Sequence, residues 1–156
     1  MGRGSSEMTL NIRFGALEER ADLEELQRRA SLVWEEYRAD LLAHPDAIQL
    51  PLSQLQENRV RVAEFGSRRV GFSVVIPKSA DVSELDGLFV EPDHWGIGIG
   101  RALITDAVRL ARDQGAGAIE VIANPRAEGF YEKLGFRPTG FAQTQFGPAK
   151  QMRHVF

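Results

Sequence analysis

The chain predicts an α/β fold of the α+β kind, six to seven strands flanked by helices, on three observations. Two β-rich runs, Val60–Phe65 and Val70–Ile76, flank Gly66-Ser67-Arg68-Arg69 and read as a hairpin. A third run, Val82–Val90, is followed by a glycine-rich loop, an amphipathic helix over Leu103–Arg112 and a buried strand over Ala118–Ala123, which makes a central βαβ unit. Between the first strand and the hairpin, Leu17–Leu42 repeats apolar residues at helical spacing.

In chain order, Thr9–Phe14 alternates apolar and polar residues and predicts the first strand. Leu23, Leu26, Ala30, Val33, Trp34, Tyr37 and Leu41 form the apolar stripe of one long helix or two shorter ones. His44-Pro45-Asp46 ends it, because the residue before a proline is pushed out of the α region. Ile48–Asn58 is a loop or a short helical piece, and the hairpin follows. Gly115 stops the helix of the βαβ unit. Asn124-Pro125 offers an N-cap and a first-turn proline to the next helix, with Gly135 just past its end. Phe136–Phe141 and Gln151–Phe156 complete the sheet.

A chain of 156 residues is expected to be one domain able to bury a core unaided. Met8–Phe156 is taken as that domain, and residues 1–7, polar and glycine-rich, as a disordered extension or an expression remnant. No cysteine is present, which excludes disulfides, thiolate metal sites and an acyl-cysteine intermediate. A formal net charge of −3 and the lack of any basic block argue against nucleic acid as a partner. No apolar run approaches the roughly 18 residues of a membrane helix, so a cytoplasmic protein away from membranes is expected.

The loop Trp95-Gly96-Ile97-Gly98-Ile99-Gly100-Arg101 joins a strand to a helix start. Such a junction presents several backbone N–H groups and the positive end of a helix dipole, and missing Cβ atoms let a phosphate come close. A dinucleotide fingerprint needs a sixth-position glycine, but Arg101 or Leu103 stands there, counting from Gly96 or Gly98. No Gly-Lys-Ser/Thr follows, so a nucleotide-hydrolase P-loop is excluded as well. A pyrophosphate held mainly by backbone amides remains.

At these residues the chain resembles the GCN5-related N-acetyltransferase (GNAT) superfamily, whose pyrophosphate loop has Gln or Arg, two residues, Gly, one residue, then Gly or Ala. That frame falls on Trp95 to Gly100, with Trp95 in place of the usual Gln or Arg. A second motif agrees: Asn124, then Phe130-Tyr131-Glu132-Lys133-Leu134-Gly135-Phe136. The resemblance is sharp from Glu84 to Phe136. It implies a mixed, mostly antiparallel sheet whose βαβ unit binds acetyl-CoA as co-substrate, and direct acetyl transfer to a primary amine of a small-molecule or peptide acceptor. A non-catalytic acetyl-CoA-binding module of the same fold is the alternative. The resemblance also implies a homodimer formed through the sheet edge or the last strands.

Transfer from a thioester to an amine needs a base for the ammonium, donors for the oxyanion and an acid for the thiolate. Period-two alternation puts Glu84, Asp86, Leu88 and Val90 on one strand face, and Glu84 matches the position at which the family's histone-modifying members carry their base. A carboxylate of ordinary pKa is a weak base for an amine, so burial or a water relay is required. Asp86 is the other candidate. The resemblance assigns cofactor contacts to the backbone of Leu88, Phe89 and Val90, to Trp95 at the head of the loop, to the amides of Gly96, Ile97, Gly98, Ile99, Gly100 and Arg101, and to Asn124 and Tyr131. Arg101 adds a charge that is either near phosphate or only solvated, and Asn124 serves equally as an N-cap. Gly87 marks either a bulge aiming an amide at the thioester or a glycine set against a packed neighbour. Tyr131 is the general acid by resemblance; by periodicity alone it is an apolar-face residue with a bonded hydroxyl.

The remaining signals are weak. His44, His94 and His154 are too scattered for a metal site, and no metal is expected. Trp34, Glu35, Glu36, Tyr37 and Asp40 fall on the segment that walls the family's acceptor pocket, where they form either a rim for a cationic amine or a packed pair with solvated acids.

Overall fold

The computed structural model describes residues 9–33, 35–44, 48–144 and 147–156, without the side chains of residues 35–37 and 40. Its strands are β1 (Leu10–Phe14), β2 (Val60–Phe65), β3 (Arg68–Pro77), β4 (Val82–Val90), β5 (Ala118–Ala123), β6 (Arg137–Thr144) and β7 (Gly147–Val155). Its helices are α1 (Arg20–Leu32), α2 (Glu35–Ala43), α3 (Leu52–Gln56), α4 (Ile99–Asp113) and α5 (Glu128–Lys133). One seven-stranded sheet runs in the order β1-β2-β3-β4-β5-β7-β6. β4 and β5 are parallel, as a helical crossover requires, whereas β1 with β2, β2 with β3, β5 with β7 and β7 with β6 are antiparallel. No helix of the described residues is long and apolar enough to cross a membrane.

Residues group into two compact units: the chain up to Val74 with Gly87–Leu103, and Val75–Asp86 with Ile104–Phe156. In the first unit, α1 buries Leu23, Leu26 and Ala30, one helical face. Ala63, Val70, Ile99 and Leu103 form an apolar cluster against which Leu10, Ile12, Phe65, Leu88 and Val90 pack. The β2–β3 register slips between Ala63 and Glu64, a bulge that adds Val70 to β3. In the second unit Ile104, Ala107, Ala111, Ile119, Val121, Phe136 and Met152 are buried.

A partly buried ion network centred on the buried Glu19 stabilises the first unit. Arg13 grips Glu19 with two bonds of 2.8 Å, Arg69 adds a third at 2.5 Å and the Ala16 amide a fourth at 2.8 Å. The Arg13 guanidinium, together with the Ala16 amide and Arg69, outweighs burial and holds the Glu19 carboxyl at about 2. Because the folded value lies below the ordinary one, this stability is present at neutral pH and is lost as pH falls through about 4 towards 2. The shift corresponds to about 3 kcal/mol. Urea unfolding of Glu19→Gln is expected to show a loss of on the order of 2–3 kcal/mol at pH 7 that shrinks towards pH 3, since only the wild-type carboxyl has a proton to take up.

Several boundaries differ from the sequence expectation. The βαβ helix begins at Ile99 rather than Leu103, because the Gly98 carbonyl already accepts the Ala102 amide at 3.0 Å. The last two strands are longer than Phe136–Phe141 and Gln151–Phe156: Gln143↔Pro148 and Thr144↔Gly147 extend the hairpin, held by its ladder rather than by apolar alternation. Phe136 precedes β6, its amide bonded to the Tyr131 carbonyl at 3.1 Å and its ring fully buried.

Candidate active site

In the first unit the glycine loop leaves a tethered base. After β4 the Glu91 amide bonds the Val70 carbonyl at 2.8 Å, and the buried Glu91 carboxylate takes the Arg29 fork at 2.9 and 2.6 Å. A 3-10 turn, Pro92–His94, follows, in which Asp93 meets Arg68 at 2.9 Å and the His94 ring at 2.7 Å. The Trp95 indole N–H donates to the Val90 carbonyl at 2.8 Å, folding the loop back on the end of β4. This is what the departure from Gln or Arg does here.

Gly96 (φ 81°) and Gly98 (φ 90°) then adopt left-handed backbone, and a Cβ on either would meet nothing within 4 Å. Ile97 between them is 62% exposed, whereas Ile99 is buried and anchors the helix start in the core. The amides of Ile99 and Gly100, in the first turn of α4, have no acceptor one turn earlier. Arg101 is exposed in the same turn. Two left-handed glycines facing open space, followed by helix-start amides and the positive dipole end, fit an anion such as a pyrophosphate.

Leu88, Phe89 and Val90 are half-buried; Leu88 and Val90 pack on the apolar cluster, and Phe89 tilts against Phe72 with ring centroids 5.2 Å apart. A Cβ on Gly87 would lie 2.9 Å from Phe89 Cε2, so this glycine makes room for a packed ring. Close backbone approach occurs instead at Gly71, where a Cβ would lie 2.8 Å from the Phe89 carbonyl oxygen.

In the second unit, the parallel ladder of β4 and β5 runs from Val82↔Ala118 to Leu85↔Val121 and sets Glu84 beside Glu120. Glu84 is half-buried, and no hydrogen bond or ion pair reaches its carboxylate among the described residues. Burial first, then the charges of Asp86 and Glu120, push its carboxyl above the usual range, with Lys78 pulling the other way. Asp86 is exposed and has a partner. Glu120 is the residue sequence reasoning missed. It is 3% exposed and receives Lys78 Nζ at 2.5 Å, Gln151 Nε2 at 3.2 Å and both Nε and Nη2 of Arg153. A lone acid in the apolar run Ala118–Ala123 was its only signal.

The Tyr131 ring is buried between Phe130 and Phe136, edge-on to each at centroid distances of 5.2 and 5.4 Å. Its hydroxyl makes no hydrogen bond among the described residues and is not a buried unpaired atom, Ser73 Oγ being the one such side-chain atom there, so the oxygen reaches the surface. Burial raises its pKa, so the phenol stays protonated. Asn124 Oδ1 accepts the Arg126 amide at 2.9 Å, which makes it the N-cap of the 3-10 turn Pro125–Ala127 ahead of α5.

His44 is exposed, His94 pairs with Asp93, and His154 Nδ1 lies 3.0 Å from the Gly135 carbonyl. Among the described residues no three His, Asp or Glu side chains are grouped to hold a metal. Trp34 and the side chains of Glu35, Glu36, Tyr37 and Asp40 lie outside the described residues.

The sequence profile of the Acetyltransferase (GNAT) family matches residues 22–136. Peptidyl-lysine N-acetyltransferase YjaB of Escherichia coli K12 is 41% identical over 56 residues, 36% of this chain and 37% of YjaB, so the match spans well under half of that relative. The PaiA N-acetyltransferase of Thermoplasma acidophilum, solved with coenzyme A, superposes with a TM-score of 0.77 at 21% identity over 96% of this chain and all of that one. The yncA protein of Salmonella typhimurium, solved with acetyl-CoA, gives 0.72 at 21% identity over 94% of each chain. Seven strands in this order around a parallel β4–β5 pair, a left-handed glycine turn opening a helix and a family profile spanning most of the chain agree: the protein belongs to the GNAT acetyltransferase family.

Proposed function

We propose that the protein is an acetyl-CoA-dependent N-acetyltransferase that passes the acetyl group directly to a primary amine of a peptide or small cationic molecule. The observation that carries transfer, rather than binding alone, is the Glu84 carboxylate: half-buried, with no hydrogen bond or ion pair among the described residues and raised in pKa, it has the properties a general base needs. A structural role for an acid in that position would show a partner, as Glu120 does.

Acetyl-CoA, when bound, supplies a thioester carbonyl activated for attack. The amides of the Gly96–Arg101 turn hold its pyrophosphate, and backbone N–H groups of Leu88–Val90 receive the charge that develops on the carbonyl oxygen. Glu84 takes a proton from the acceptor ammonium, directly or through one water, and frees the nitrogen lone pair that forms the new C–N bond. As the C–S bond breaks, Tyr131 would give its phenol proton to the departing sulfur, the second proton of the attacking nitrogen would pass to Tyr131 directly or through water, and Glu84 would release the first to solvent, leaving amide, thiol and one free proton. The absence of cysteine is consistent with transfer in one step between two bound substrates.

The acceptor class is supported by acidic Glu84 and Asp86 on β4 and by the peptidyl-lysine acceptor named for YjaB. Thiol release from acetyl-CoA against lysine peptides, amino acids, polyamines and aminoglycosides, with acetylated product identified by mass spectrometry, tests this. Turnover on an amine class is expected; tight acetyl-CoA binding without turnover on any amine would favour the non-catalytic module instead. Tyr131→Phe removes one oxygen from a ring already packed on two sides. It is expected to lower kcat by about 10- to 100-fold while calorimetry returns an unchanged acetyl-CoA Kd and thermal melting an unchanged Tm. Parallel losses in all three would make it a packing residue.

A further inference from the structure

We propose that Glu120 is a positioning residue for the transfer reaction: it captures Lys78 and thereby keeps Glu84 unpaired and available to the acceptor ammonium. The proposal rests on reading Glu84 as the base. Glu84 and Glu120 are partners in the parallel β4–β5 ladder, so their strands run about 5 Å apart. The charged groups that face Glu84 are Asp86 on its own strand, Lys78 just beyond β3 and Glu120 on β5. Lys78 is the one cation among them, and its four-carbon stem lets it serve whichever carboxylate binds better.

Glu120 is built to win that competition. One oxygen takes Lys78 Nζ at 2.5 Å and Gln151 Nε2 at 3.2 Å; the other takes the Arg153 guanidinium, Nε at 2.7 Å, from the paired position Glu120↔Arg153 on β7. Burial works against its charge, yet Lys78 and Arg153 more than offset this, and its carboxyl is held below the usual range. An apolar side chain of similar volume often serves a buried strand as well as such an ion network does, so stability alone does not call for a carboxylate here. What the group does is hold the Lys78 ammonium in an ion pair with Glu120, and among the described residues Lys78 makes none with Glu84.

The test reads Glu84 itself and needs no acceptor. Carboxyl carbons of 13C-labelled glutamate are titrated by NMR in the wild type, E120Q, K78M and the double variant, with the Glu84 signal assigned from its loss in E84Q. In E120Q the freed Lys78 moves to Glu84 and one neighbouring negative charge is gone, so the Glu84 midpoint is expected to fall by about one pH unit. In the double variant it should climb back above the E120Q value, and in K78M alone rise above wild type. With an acceptor, kcat should fall in E120Q and recover in the double variant. A Glu84 midpoint unmoved by E120Q overturns the proposal. If E120Q does not fold, K78M decides alone, and an unmoved midpoint there overturns it equally. Full turnover by E84Q would instead defeat the reading of Glu84 as base, whatever the titrations show.

Discussion

Glu84→Gln is expected to lower kcat by about 10²- to 10⁴-fold, the usual contribution of a positioned general base, with the acetyl-CoA Kd unchanged. The substitution keeps the shape of the side chain and removes only its capacity to accept a proton. Because no hydrogen bond or ion pair reaches the wild-type carboxylate among the described residues, none is broken, and the Tm should be unchanged or slightly higher. Asp86→Asn is the informative companion. It removes one of the charges that raise Glu84, so it should shift the pH dependence towards acid and cost far less rate than Glu84→Gln. Stopped or steady-state thiol release measures both; comparable losses in the two variants would divide the base role between them.

Gly98→Val is expected to weaken acetyl-CoA binding by at least about tenfold, or about 1.4 kcal/mol, by calorimetry. The residue sits at φ 90° with nothing of the protein within 4 Å of an added Cβ. Two effects combine: backbone strain of about 1–2 kcal/mol for a branched side chain in left-handed geometry, and a side chain projecting into the space the phosphates need. Gly66→Val separates them, since Gly66 (φ 58°) also faces open space but lies in the β2–β3 turn. Both variants should lose stability, and only Gly98→Val should lose cofactor affinity. Equal Kd values for wild type and Gly98→Val would remove the cradle from the account.

The βαβ unit and its loop were legible because their signals are local. Glycine spacing, the apolar run before it and the helix pattern after it all lie within Val82–Ala123, and each has a direct backbone meaning. Tyr131 was a candidate through its motif, but whether its hydroxyl finds a partner was not legible, since hydroxyl satisfaction depends on residues distant in the chain. The same reason hid the ion pairs. Arg29 and Glu91 are 62 positions apart, and Glu120 draws partners 42 and 33 positions away. No periodicity within one segment reports such pairings. The start of α4 was misjudged for a different reason: Gly98 and Gly100 read as loop residues, yet glycine costs little in a first turn whose amides lack helical acceptors anyway.

The pH dependence of kcat for wild type and Glu84→Gln, at saturating acceptor and acetyl-CoA, decides whether Glu84 is the base. A base whose pKa is raised is protonated, and idle, below that pKa, so the wild-type rate should climb with pH through a limb lying above the ordinary glutamate range near 4.3. In Glu84→Gln that limb should be absent and only the dependence of the amine itself remain. An unchanged limb in the variant would show that the proton leaves by another group, and Glu84 would then be a bystander on β4.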